Sequence, residues 1–183
     1  MLCDAAESAL VLLAQSGRSD GFDPLVHAHR PRVLRLARAM LRDAHLAEDA
    51  AQETFARAFR GIGGFRRGAR FGSWVTSIAL NVCRDALKRP HQRPVDAGRL
   101  APPRLRPAID DGISARTLEA LAQVPSPHRD AFLLRHVCDL PYADCAAILG
   151  VRVATLRTRA HRARAELRRL LIPFVDTVWR MRA

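Results

Sequence analysis

The stretch LPYADCAAILGVRVATLRTRAHRAR, residues 140–164, decides the fold. Its pattern predicts a short helix over 142–149, a turn at Gly150-Val151 and a second helix from about Val153, two helices joined by a short glycine turn, which is helix-turn-helix spacing. Along the second helix Val153, Leu156, Ala160, Ala163, Leu167 and Leu170 recur at steps of three and four and face inward. Arg152, Thr155, Arg157, Thr158, Arg159, His161 and Arg162 then remain outside, with only Glu166 to offset the cations. Small hydrogen-bonding residues at the start of an arginine-rich helix suit insertion into the major groove, where Arg bonds guanine edges or grips phosphate. A merely solvated basic face is the plainer alternative.

Upstream, a helix over about 114–123 precedes Ser126-Pro127, read as a cap followed by a proline at the first helical position, which opens a helix carrying Ala131, Phe132, Leu134 and Val137. Before it, apolar periodicity disappears over about 88–111. Pro90, Pro94, Pro102, Pro103 and Pro107 punctuate a stretch containing Arg93, Arg99, Arg104 and Arg106, the composition of a linker. Neither side of it shows β-alternation of useful length. The fold class expected is therefore all-α, with two small helical domains, residues 1–89 and 113–183, joined by a Pro/Arg-rich linker over 90–112, and the helix-turn-helix in the second.

In the first domain Asp23 is placed to cap a helix whose first position is Pro24, with Leu25, Val26, Val33, Leu36, Ala37, Met40 and Leu41 at helical spacing and a kink expected at Pro31. The next helix follows Asp43 and stops at Gly61, with Leu46, Ala47, Ala50, Ala51, Phe55, Ala58 and Phe59 on one side. Asp49, Gln52, Glu53, Arg57 and Arg60 form a continuous polar stripe on the other. On composition alone that stripe reads as a solvated face. Residues 61–72 make a glycine-rich connection carrying Arg66, Arg67 and Arg70, anchored by Phe65 and Phe71 and able to bend closely around a ligand. A third helix over about 73–89 buries Trp74, Val75, Ile78, Ala79, Val82 and Ala86 and leaves Ser77, Asn81, Arg84, Asp85 and Lys88 outside.

The 183 residues carry a formal net charge of +12, which favours polyanionic partners, nucleic acid first. An anionic membrane surface is the rival, but no apolar run approaches the ~20 residues of a membrane span, so no stable insertion is expected. The apolar stretch over 9–14 follows Asp4 and Glu7, not a basic flank, and reads as a helix start. Cys3, Cys83, Cys138 and Cys145 show no C-x-x-C spacing and fit a reduced cytoplasm. His136, Cys138 and Cys145 are the tightest grouping that zinc would accept; buried packing is the favoured reading, and no metal or cofactor is assigned.

Together these segments resemble the extracytoplasmic-function sigma factors, over nearly the whole chain apart from its proline-rich middle and last dozen residues. AEDAAQETFARAFR is similar to the family's segment for docking onto the coiled-coil clamp of the polymerase's largest subunit, which gives Asp49, Gln52, Glu53 and Arg57 a role in binding polymerase. FGSWVTSIALNVCRDALKR is similar to the segment that recognises and opens the minus-ten element, with Asn81, Arg84 and Lys88 at DNA-facing positions and Trp74 as the central tryptophan, although its spacing with Ile78 and Val82 favours burial. The connection over 61–72 matches the base-capturing loop in position, so that Arg66, Arg67 and Arg70 would hold the displaced strand. Residues 140–164 resemble the reader of the minus-thirty-five element, with Arg152, Thr155, Arg157, Thr158, Arg159 and Arg162 as its DNA-binding side chains. Leu80 stands where relatives often carry arginine, Pro141 where a capping Ser is usual, Ala154 for a frequent Gly and Cys145 for an aliphatic residue.

The resemblance implies a sigma factor that joins core RNA polymerase, directs it to promoter DNA and helps melt it, is itself no catalyst, and is held inactive by an anti-sigma protein. A free-standing helix-turn-helix regulator would leave the 49–57 stripe unexplained and has no coiled-coil heptads. A metal-dependent hydrolase built on His27, His29, His136 and the cysteines lacks any H-E-x-x-H, nucleophile elbow or phosphate loop. Residues 171–183 read as a packing helix, with contact to an inhibitor as the alternative.

Overall fold

The computed structural model describes residues 4–66, 68–88 and 115–180, and among them every regular element is helical. The chain divides into two compact units, Met1–Pro103 and Arg104–Ala183, with the boundary inside the proline-rich segment. The linker and Arg89 lie outside the described residues.

The first unit holds α1 (Asp4–Gln15), α2 (Ser19–Leu41), α3 (Ala44–Gly61) and α4 (Phe71–Lys88). Its core is a set of facing stripes: Leu25, Val33, Leu36, Ala37 and Met40 of α2, Ala47, Ala50, Ala51, Phe55 and Ala58 of α3, and Phe71, Val75, Ala79, Leu80 and Val82 of α4, all buried. Val11 and Ala14 of α1 close it. Asp43 caps α3 as its sequence predicts, its carboxylate accepting from the backbone N–H of His45 and Leu46 at 2.9 and 3.0 Å. α2 differs from expectation. It begins at Ser19, not Asp23, and runs through both Pro24 and Pro31. The reason is a tertiary contact: Gly21 lies so close to α1 that a Cβ there would meet Leu13 Cβ at 2.6 Å and the Ala14 nitrogen at 2.8 Å, so packing recruits an extra turn ahead of Pro24. Phe59, expected inside, is 46% exposed, its ring edge-on to Phe22 at 5.1 Å. Trp74, Ile78 and Ala86 are half-buried, and Thr76, Leu80 and Cys83 take the fully buried places.

The second unit holds α5 (Ala115–Gln123), α6 (Ser126–Phe132), α7 (Tyr142–Leu149) and α8 (Val153–Arg180). Leu118, Leu121, Ala131, Leu133, Leu134, Leu156, Ala160, Ala163 and Leu167 form its core. Pro125, not Ser126, occupies the cap position of α6, and Ser126 and Pro127 are already helical. After Phe132 the chain widens into a π-helical turn, Leu133–Val137, closed by the Cys138 N–H donating to the Leu133 carbonyl at 2.9 Å. Gly150 ends α7 at φ +62°, the left-handed conformation that lets the chain reverse into α8.

Candidate protein and nucleic-acid interfaces

On the outer face of α3, Asp49 and Gln52 are exposed. Glu53, one turn on, accepts from Arg57 Nε at 2.7 Å and lies 3.5 Å from Arg60 Nη2, while Arg57 Nη1 reaches Asp85 Oδ2 of α4 at 3.6 Å. The Glu53 hydrogen bond, with Asp85 adding, raises the Arg57 pKa above its ordinary value, so Arg57 ties α3 to α4 as a fixed cation. Glu48, which the sequence did not single out, pairs with Arg30 of α2 at 2.6 Å. The polar stripe is thus a braced ridge with Asp49 and Gln52 turned outward.

After α3 a short 3-10 turn, Ile62–Gly64, leads into the connection to α4. Its aromatic anchors behave as expected. Phe65 and Phe71 are buried, 5.8 Å apart between centroids, and Trp74 packs on both at 5.1 and 5.6 Å. Arg66 and Arg70 are exposed on this rim, whereas Arg67 lies outside the described residues. Asn81 and Lys88 are exposed and Arg84 half-buried, at steps of three and four along one side of α4. Leu80, at the place of the family arginine, is only 1% exposed, so the core takes that position and no cation is offered there.

In the second unit Arg152, Thr155, Arg157, Thr158 and Arg162 are exposed and Arg159 half-buried, all within the first turns of α8 or just ahead of it. The sequence did not reveal what supports them. Two guanidinium groups lie over the Tyr142 ring, that of Arg135 at 5.1 Å and that of Arg157 at 5.5 Å from its centroid. Arg135 is itself held by Asp139 Oδ1 at 3.1 Å and the Leu140 carbonyl at 3.2 Å. Farther along α8, Arg164 sits 3.4 Å from His136 Nε2. Burial first, then the charges of Arg164 and Arg135, lowers the His136 pKa, so its ring is fit to accept this bond.

Among the described residues no three or more His, Cys, Asp and Glu side chains are grouped to hold a metal ion. Cys138 and Cys145 are buried, and the Cys145 thiol donates to the Leu140 carbonyl at 3.5 Å. Burial pushes the Cys145 thiol up to about 11 and Cys83 up to about 12, which makes both poor thiolates. Among the described residues no helix is long and apolar enough to cross a membrane.

Residues 25–93 match the family model of Sigma-70 region 2, and residues 114–167 match that of Sigma-70, region 4. The chain is similar to the RNA polymerase sigma factor CarQ of Myxococcus xanthus, 36% identical over 163 residues that cover 86% of this chain and 92% of the relative. It is similar also to the ECF RNA polymerase sigma factor SigM of Mycobacterium tuberculosis, 33% identical over 173 residues, 92% and 86% of the two chains. Among solved structures, CnrH in complex with the cytosolic domain of CnrY superposes with a TM-score of 0.74 at 28% identity, over 92% of this chain and 98% of that one. The sigma factor RpoE of Bartonella quintana, solved with the anti-sigma factor NepR, shares the fold at a TM-score of 0.69 and 24% identity, over 82% and 96%. With most of α2 and all of α3 and α4 inside the region 2 match, and α5 to α7 and much of α8 inside the region 4 match, this chain belongs to the extracytoplasmic-function family of RNA polymerase sigma factors.

Proposed function

We propose that the two units divide the work of a sigma factor between one protein surface and two DNA surfaces. The chain joins core RNA polymerase through the α3 ridge, where Asp49 and Gln52 make the contact and Glu53 and Arg57 hold the ridge against α4. Arg66, Arg67 and Arg70, with Trp74, Asn81, Arg84 and Lys88, take the minus-ten element and its displaced strand. Unstacking there costs a few kcal/mol, and a stacking and cationic surface returns it. Arg152, Thr155, Arg157, Thr158, Arg159 and Arg162 read the minus-thirty-five duplex. In this reading the chain catalyses nothing itself and acts in the cytoplasm beside the polymerase. An anti-sigma partner, implied by the family resemblance, competes for the same surfaces.

The observation that carries the reading is the separation of chemistries. One unit presents an acid and an amide on a braced helix, and the other presents exposed arginines and threonines at the start of a helix entered through a glycine turn. Its test is transcription in vitro with purified core enzyme. Asp49→Ala with Gln52→Ala is expected to weaken core binding, while Arg157→Ala with Arg159→Ala is expected to reduce promoter-dependent transcription at unchanged core affinity. Full competition for core by the first pair, or unchanged transcription with the second, removes the corresponding assignment.

A further inference from the structure

The region 2 match begins at residue 25 and leaves α1 without an assigned role. α1 is nonetheless tied to the arginine-bearing loop. The Gln15 side-chain amide donates from Nε2 to the Ile62 carbonyl at 3.0 Å and to the Phe65 carbonyl at 2.9 Å. An amide nitrogen carries two N–H donors, and here each has its own acceptor. The two carbonyls bracket the 3-10 turn, so together they set where the chain departs toward Arg66 and Arg70. Packing does not do this alone. A cavity of about 140 Å³ lies between α1 and the loop, lined by Glu7, Val11, Leu12, Phe65, Ala69 and Phe71, so apolar contact between the two is incomplete.

We propose that Gln15 is a positioning residue for promoter opening, holding the chain at Ile62 and Phe65 so that Arg66 and Arg70 receive the displaced strand. The inference rests on the assignment of that loop to the unpaired strand. A glutamate at position 15 keeps the shape but, ionised, can only accept, so it faces two carbonyl oxygens with no proton to share. The loop is then released while the α3 ridge, on a different element, is left in place.

The test uses the full chain with core polymerase on a promoter fragment, scoring unpaired thymines by permanganate and measuring core affinity separately by competition. Gln15→Glu is expected to lower open-complex yield about tenfold with core affinity unchanged, since two hydrogen bonds to the loop are lost. Arg66→Ala with Arg70→Ala is expected to do the same. If that arginine pair opens the promoter normally, the loop assignment falls and this inference with it. If the pair is defective and Gln15→Glu is not, the tie alone is refuted. A Gln15→Glu defect matched by an equal loss of core affinity shows support of the whole unit and overturns the positioning role.

Discussion

Tyr142 shows how a side chain can support an arginine of the proposed reader without touching DNA itself. Its ring is in contact with both Arg135 and Arg157, and Arg135 is anchored by Asp139 and the Leu140 carbonyl, so Arg157 rests on a platform held through Arg135. A cation over an aromatic face at an exposed site contributes about 0.5–1 kcal/mol. With Arg157 as the proposed reader, Tyr142→Phe keeps the face and is expected to preserve discrimination, whereas Tyr142→Ala is expected to cost about that amount at the base pair assigned to Arg157. Competition binding with single-base variants of the minus-thirty-five element measures it, and equal selectivity in both variants removes the platform. The arginine was legible from helical spacing, but the ring beneath it was not, because Arg135 and Tyr142 meet across a π-helical turn that no local pattern announces. Leu80 is the converse case: its departure from the family pattern could be seen, but only packing shows the side chain given to the core.

At the scale of the element, local signals served α3 and misled at α2. Asp43 caps α3 because capping is settled within three residues, whereas Asp23-Pro24 looks like a start but is overruled by Gly21 packed on α1. The α1–α2 contact also carries a titratable pair. His29, 8% exposed, sits 2.7 Å from Glu7 through Nε2, with the Phe71 ring 5.3 Å away. Burial lowers its pKa below the ordinary value; Glu7 opposes this and the charge of Arg32 adds to it. The unfolded chain, with histidine near ~6.5, therefore binds more protons than the folded one in the window beneath that value. This stability is complete above about pH 6.5 and declines as pH falls toward the lower, folded value. Urea unfolding of the first unit, followed by Trp74 fluorescence with Trp179 replaced, is expected to lose midpoint on going from pH 8 to pH 5.5, and to lose less in His29→Gln. Identical pH slopes in the two proteins would discard the assignment.

For the molecule as a whole, the two helical units are legible in the proline-studded middle of the sequence, and a preference for polyanionic partners in its net charge. The ties that brace the surfaces, Gln15 to the loop and Arg57 to Asp85, were hidden because they join residues far apart in the chain. A charge of +12 also sets how the complex answers to salt. For the full chain with core enzyme on a minus-thirty-five duplex, the slope of log K against log salt is expected to shrink by about 0.9 for each phosphate contact removed. Arg162→Ala is expected to shift the slope in this way, and an unchanged slope would mean that Arg162 grips no phosphate. One backbone feature bears on the same reader. The π-helical turn over Leu133–Val137 fits a surplus residue into its coil, and each residue of an α-helix advances the next by about 100°. The turn is thus a phase setter: lose one residue there and a regular coil returns, but the polypeptide beyond it leaves the helix at a new azimuth.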